Sequence, residues 1–169
     1  MQFIKYFILL ILFAITTFLG YIISKKYSER LKELKQMKNC LNIFKNKIKF
    51  TYEPIPEIFK EISKTNQNSI GKIFESSAKQ MTCIQAGIAW EQAINTSNTN
   101  LNKEDKETLN NLGKLLGQTD VEGQINQIEL VNKFLDEQII KADEENEKSS
   151  KMYKKLGVII GLALVIILI

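Results

Sequence analysis

Two uncharged apolar stretches bracket this chain, and its polar sequence lies between them. Tyr6 to Ile23 is eighteen residues without a formal charge, and Leu156 to Ile169 is fourteen more. At about 1.5 Å per residue the first makes roughly 27 Å of helix, against a bilayer core of about 30 Å. The second makes about 21 Å, more if Met152 and Tyr153 join it and Lys154 and Lys155 snorkel to the headgroups. A secretory signal would have an apolar core of about 7–15 residues and a small-x-small cleavage site, and Leu19-Gly20-Tyr21-Ile22-Ile23-Ser24 offers none. The first stretch therefore reads as an uncleaved anchor. The second shows no polar face from Leu156 onward, which argues for lipid over a buried core helix. The expected division is a transmembrane helix over residues 1–23, a helical domain over 24–151 and a second transmembrane helix over 152–169.

The formal net charge is only +4, but its distribution is uneven. Residues 25–49 carry a net +7, residues 50–147 a net −8, and residues 148–155 four more lysines. Positive charge thus flanks both apolar stretches on the same side, through Lys25, Lys26, Arg30, Lys151, Lys154 and Lys155. By the positive-inside rule the central domain is cytoplasmic and both termini are outside. Those lysines could also attract anionic lipid. Nucleic-acid binding is not expected, because the cations cluster beside the anchors rather than along the domain.

Helical periodicity accounts for the rest. Tyr27, Leu31, Leu34, Met37, Leu41, Phe44 and Ile48 form an apolar stripe, and no glycine or proline falls between Gly20 and Pro54. One helix from about Phe3 to Phe50 is expected. Pro54 and Pro56 end it and open a second helix with Ile55, Ile58, Phe59 and Ile62 on its apolar face. A third, from about Ser69 to Gln80, carries Ile70, Ile73, Phe74 and Ser77. Thr82 with Gln85 reads as a capping box for a fourth carrying Ile84, Ile88, Trp90, Ala93 and Ile94. After the polar run Asn95 to Asn100, Asn102 with Asp105 caps a fifth, with Leu109, Leu112, Leu115 and Leu116 inward. Gly117 suits the left-handed position after that helix. Thr119 with Glu122 reads as another capping box, with Asp120 near the positive end of the dipole. Helix six follows through Ile125, Ile128, Val131, Leu135, Ile139 and Ala142, and should feed straight into the C-terminal anchor. The fold class is all α: an antiparallel bundle of about six helices, membrane-anchored at both ends.

Nothing in this pattern points to catalysis. The chain has no histidine, which removes Ser-His, Cys-His and imidazole-metal arrangements. Cys40 and Cys83 stand alone, without a C-x-x-C, and read as small buried apolar residues. Gly113 to Thr119 holds the letters of a phosphate loop in the wrong order and follows no strand. Glu104-Asp105 and Glu144-Glu145 are sequence neighbours, so their side chains splay around a helix. No catalytic, metal or cofactor site is expected. Gly157 and Gly161 form a G-x-x-x-G that permits close helix approach in lipid, with the N-terminal span, another copy or another protein as partner.

Several segments, in order, resemble the stage III sporulation protein AB family of endospore-forming Firmicutes. They are Tyr27-Ser28-Glu29-Arg30-Leu31-Lys32-Glu33-Leu34, Pro54-Ile55-Pro56-Glu57, Ala89-Trp90, Leu116-Gly117-Gln118-Thr119-Asp120 with Gln124, and Lys151-Met152-Tyr153-Lys154-Lys155-Leu156-Gly157 before an apolar tail. The resemblance implies a mother-cell membrane protein of the channel between mother cell and forespore. Its cytoplasmic domain would be similar to that of type II secretion F-type platform proteins, a non-enzymatic scaffold coupling a secretion-type ATPase to other membrane subunits of the channel. F-type platforms usually hold two such domains and more spans, so several copies or further partners would be needed. Glu104, Asp105 and Glu107 are candidate docking residues for that ATPase, since the acidic segment is what a soluble partner can reach. The rival reading is a membrane-anchored signalling adaptor or sensor dimer, which would call for an extracytoplasmic sensing domain.

Overall fold

The computed structural model describes residues 2–168. Among them the chain is all α: α1 (Gln2–Thr51), α2 (Ile55–Thr65), α3 (Ser69–Gln80), α4 (Ala86–Thr96), α5 (Lys103–Gly113), α6 (Val121–Glu145) and α7 (Lys151–Leu168). A π-helical turn, Asn146–Ser150, joins α6 to α7. The continuous first helix follows from the absence of a breaker before Pro54. Just beyond its end Tyr52 takes a left-handed φ of 54°, which costs an aromatic residue on the order of 1–2 kcal/mol.

The chain divides into two compact units, Met1–Leu31 with Lys141–Ile169, and Lys32–Ile140. The second has a helical core. The α1 stripe is inward as its period requires, with Leu34, Met37, Leu41 and Phe44 fully buried. Phe59 of α2 stands edge-on to Phe44 at 4.9 Å, to Phe74 of α3 at 4.9 Å and to Trp90 of α4 at 5.5 Å. Trp90 Nε1 donates to the Leu109 carbonyl of α5 at 2.8 Å, so one aromatic cluster ties five helices together. Such ring pairs add about 0.5–1.5 kcal/mol each beyond the area they bury.

Polar clamps finish the unit. Glu33 of α1 is buried and accepts from Ser69 Oγ at 2.7 Å and the Asn100 backbone N–H at 2.6 Å. It thereby fixes the start of α3 and the loop before α5 to one carboxylate. The α6 helix meets α1 through Lys38–Asp136, Lys45–Glu129 and an Asn132–Asn42 hydrogen bond of 3.0 Å. The ion pairs are solvent-exposed and worth at most about 1 kcal/mol each. Apolar burial carries most of the stability.

Three local expectations are corrected here. No capping box forms at Thr82 and Gln85: Thr82 Oγ1 donates back to the Lys79 carbonyl at 2.8 Å, and Gln85 caps α4 without a side-chain bond. Backbone bonds from Cys83 and Ile84 to the Gln80 carbonyl extend α3 by a turn, which leaves the hydroxyl facing backward. Ile88 is exposed, and α4 packs instead through Gly87, Ala89, Trp90, Ala93 and Ile94. Cys40 is buried as expected, its thiol pushed up to about 11 by desolvation, but Cys83 lies exposed in the α3–α4 turn.

Candidate functional site

The most highly built feature is the seam between α1 and α7 in the first unit. A Cβ on Gly157 would stand 2.9 Å from the Thr16 carbonyl oxygen and 3.1 Å from Gly20 Cα. One on Gly161 would stand 2.5 Å from Thr16 Oγ1 and 2.7 Å from Phe13 Cδ2. The two backbones thus meet where side chains are missing. Further along, Ser24 Oγ and Ser150 Oγ share a buried hydrogen bond of 2.7 Å. Tyr27 and Tyr153 stack with centroids 5.8 Å apart, and buried Arg30 pairs with Glu145 at 2.6 Å. From Thr16–Gly161 through Gly20–Gly157 and Ser24–Ser150 to Arg30–Glu145, rising numbers on α1 meet falling numbers on the helix that ends in α7, so the two run antiparallel. The G-x-x-x-G partner left open by the sequence is the N-terminal helix of the same chain.

The π turn keeps this seam in phase. Ala142, Ser150, Gly157 and Gly161 are all buried, and Gly161 lies nineteen positions after Ala142. Five turns at about 3.6 residues take about eighteen. The wider π turn absorbs the extra residue and returns Gly161 to the face that Ala142 occupies.

Outward, this unit is apolar. The best window of α1 has a mean hydropathy of 2.4 with only 17% of it buried, long and apolar enough to cross a membrane. Ile159, Ile160, Leu162, Ile166 and Ile167 of α7 are exposed as well. Exposed apolar surface on this scale calls for lipid or a partner.

At the α5–α6 hairpin, Gly117 does take a left-handed φ, +73°. However, α5 ends at Gly113, and residues 114–117 continue in tight turns through Leu115 N–H to the Leu112 carbonyl and Gln118 N–H to the Leu115 carbonyl. The capping role also moves by one residue. Asp120 Oδ1 accepts from the Gly123 N–H at 2.9 Å, so Asp120 is the N-cap, Glu122 lies exposed in the first turn, and Thr119 Oγ1 is buried without a partner. A carboxylate one position nearer the helix start gains from the dipole where a hydroxyl does not. Asp120→Ala should therefore cost about 1 kcal/mol, while Thr119→Ala should cost less. Gly117→Val should cost more than either, about 1–2 kcal/mol from backbone strain alone. Its Cβ would also press on Ala86 Cβ at 3.3 Å. Thermal unfolding of the purified variants checks this order, and a Gly117→Val protein as stable as wild type would contradict it.

The acidic cluster separates into two kinds of residue. Asp105 is fully buried, its carboxylate accepting from the Asn102 N–H at 2.9 Å while the Asn102 side chain accepts from the Asp105 N–H at 2.8 Å. It is half of a complete capping box and has no surface left to dock with. Glu104 and Glu107 are exposed, Glu107 facing Lys103 at 3.7 Å. Among the described residues no group of three or more cysteines, aspartates and glutamates could hold a metal.

The sequence reading missed Thr16, Gly20, Ser24, Glu33 and Ser150. Part of the signal was there: Thr16, Gly20 and Ser24 are small residues at a spacing of four, a second small-xxx-small face opposite Gly157 and Gly161.

The family described as stage III sporulation protein AB matches residues 5–169. Stage III sporulation protein AB of Bacillus subtilis (strain 168) is 27% identical over 157 residues, covering 90% of this chain and 92% of that protein. A solved structure of stage III sporulation protein AB superposes with a TM-score of 0.63 at 23% identity, covering 70% of this chain and 96% of its own, which establishes the shared fold. Its relatives are named as sporulation proteins and not as enzymes. The match of nearly the whole chain places it in the stage III sporulation protein AB family, with a role in sporulation.

Proposed function

We propose that this chain is a non-enzymatic membrane scaffold of the mother cell–forespore channel complex. In this reading the apolar half of α1 and α7 both cross the mother-cell membrane, and the domain between them is cytoplasmic. There it couples a secretion-type ATPase to the other membrane subunits of the channel, in one or several copies. The observation that carries the reading is the small-residue seam, which pairs the two apolar helices and leaves their outer faces apolar. A hairpin of that kind is stable in lipid.

The docking surface is the acidic part of residues 50–147, with its net −8. Within the candidate cluster Glu104 and Glu107 serve, and Asp105 is withdrawn because it holds up the α5 N-terminus. Surface charges act chiefly on association rate and are screened within a Debye length of about 8 Å at physiological salt. Glu104→Lys with Glu107→Lys in the full-length protein, held in nanodiscs, should slow association with the ATPase about tenfold at low salt. Wild-type binding should weaken as salt rises. Binding that responds to neither change would remove this docking mechanism.

A further inference from the structure

We propose that the lysines at the lip of the α1–α7 hairpin form a binding band for the phosphate headgroups of anionic phospholipids. The proposal rests on the two-span reading above. Lys25, Lys26, Lys151, Lys154 and Lys155 are all exposed, and none forms an ion pair among the described residues. Of the acids nearby, Glu145 pairs with Arg30, Glu144 with Lys148 at 3.9 Å, and Glu29 is engaged, while Glu147 stands exposed one turn before Lys151. Five exposed ammonium groups thus stand together without a direct ion pair, against the single exposed carboxylate of Glu147 beside them.

Their level is what selects the ligand. Because Gly20 meets Gly157 and Ser24 meets Ser150, residues 151–155 lie level with residues 21–24 of α1, and Lys25 and Lys26 follow directly. The five steps from residue 21 to residue 26 rise about 8 Å. The polar layer on each side of a bilayer, half the difference between about 40–45 Å and about 30 Å, is roughly 5–8 Å thick. The lysine band thus matches one headgroup layer in depth, directly where the apolar faces stop. Tyr21 lies at the same level, half exposed, with Lys154 Nζ 6.0 Å from its ring centroid. An aromatic ring and a cation at that depth fit the interfacial layer, with the ammonium drawn toward phosphate.

The experiment measures lipid retained by the full-length protein, purified from mixed micelles of phosphatidylglycerol and phosphatidylcholine, by native mass spectrometry. Wild type should retain phosphatidylglycerol in preference. Replacing the lysines stepwise by glutamine should lower that preference by about fivefold per residue, while Lys→Arg should keep it. Inorganic phosphate at matched ionic strength should not displace the lipid. Equal retention of both lipids by wild type, or an undiminished preference in the five-fold glutamine variant, would overturn the band. Displacement by inorganic phosphate would overturn it too, assigning the lysines to a soluble anion. Alkaline extraction separates this from the reading beneath it. A chain that washes out of membranes loses both, whereas one that stays without lipid preference loses only the headgroup band.

Discussion

Trp90→Ala should lower the unfolding free energy of the full-length protein by about 3–5 kcal/mol, against the roughly 5–15 kcal/mol that a domain usually has. Trp90 is fully buried and touches Phe59 and Phe74, with centroids at 5.5 Å and 5.2 Å. Truncation opens a cavity at the point where α2, α3 and α4 converge. It also removes the 2.8 Å indole donor to the Leu109 carbonyl, which keeps its place in the α5 ladder, so about 0.5–1.5 kcal/mol is lost with that bond. Trp90→Phe separates the two effects, since it keeps a ring and loses the N–H, and should cost less than the alanine variant. Because Trp90 is the single tryptophan, unfolding must be followed by circular dichroism rather than by fluorescence. An alanine variant as stable as wild type would show that the aromatic cluster does not hold the helices together.

The second large effect is expected at Gly157. Its Cβ position is bounded by backbone, the Thr16 carbonyl and Gly20 Cα, which cannot step aside as a flexible side chain could. Gly157→Leu should force α1 and α7 apart, at about 1–3 kcal/mol for overpacking. The lost approach also weakens the neighbouring polar contacts, each worth about 0.6 kcal/mol in a bilayer. Ser24 and Ser150 report it directly, with Oγ atoms 2.7 Å apart. In a Cys83→Ser background, Ser24→Cys with Ser150→Cys should form an intramolecular disulfide in membranes. Adding Gly157→Leu should suppress it, and an undiminished yield would refute the seam.

The helices themselves were legible because their signals are repetitive. The α1 stripe from Leu31 to Ile48, the proline start of α2 and the left-handed Gly117 each follow from spacing or backbone chemistry alone. What was not legible depends on neighbours distant in sequence. Asp105 looked like a surface acid, and only packing shows that the capping box buries it. Thr119 and Asp120 compete for one helix start, and a difference of one residue in where the turn after α5 ends decides between them. Glu33 reads as one more charge on a polar face, yet Ser69 and Asn100 arrive from 36 and 67 residues away to saturate it. The π turn leaves no compositional mark in Asn146–Ser150; the nineteen-residue gap from Ala142 to Gly161 becomes meaningful only once both are known to be buried. Cys83 was read by residue type, and a turn placed it in solvent.

The most direct test of the membrane hairpin uses that same cysteine. Cys83 is exposed and Cys40 is buried, so the domain carries one natural reporter for a membrane-impermeant maleimide. A second reporter is a cysteine added after Ile169. In intact non-sporulating cells made to express the protein, the added cysteine should be labelled and Cys83 should not, until the membrane is permeabilised. Labelling of Cys83 in intact cells, with the added cysteine protected, would contradict a cytoplasmic domain held between two spans.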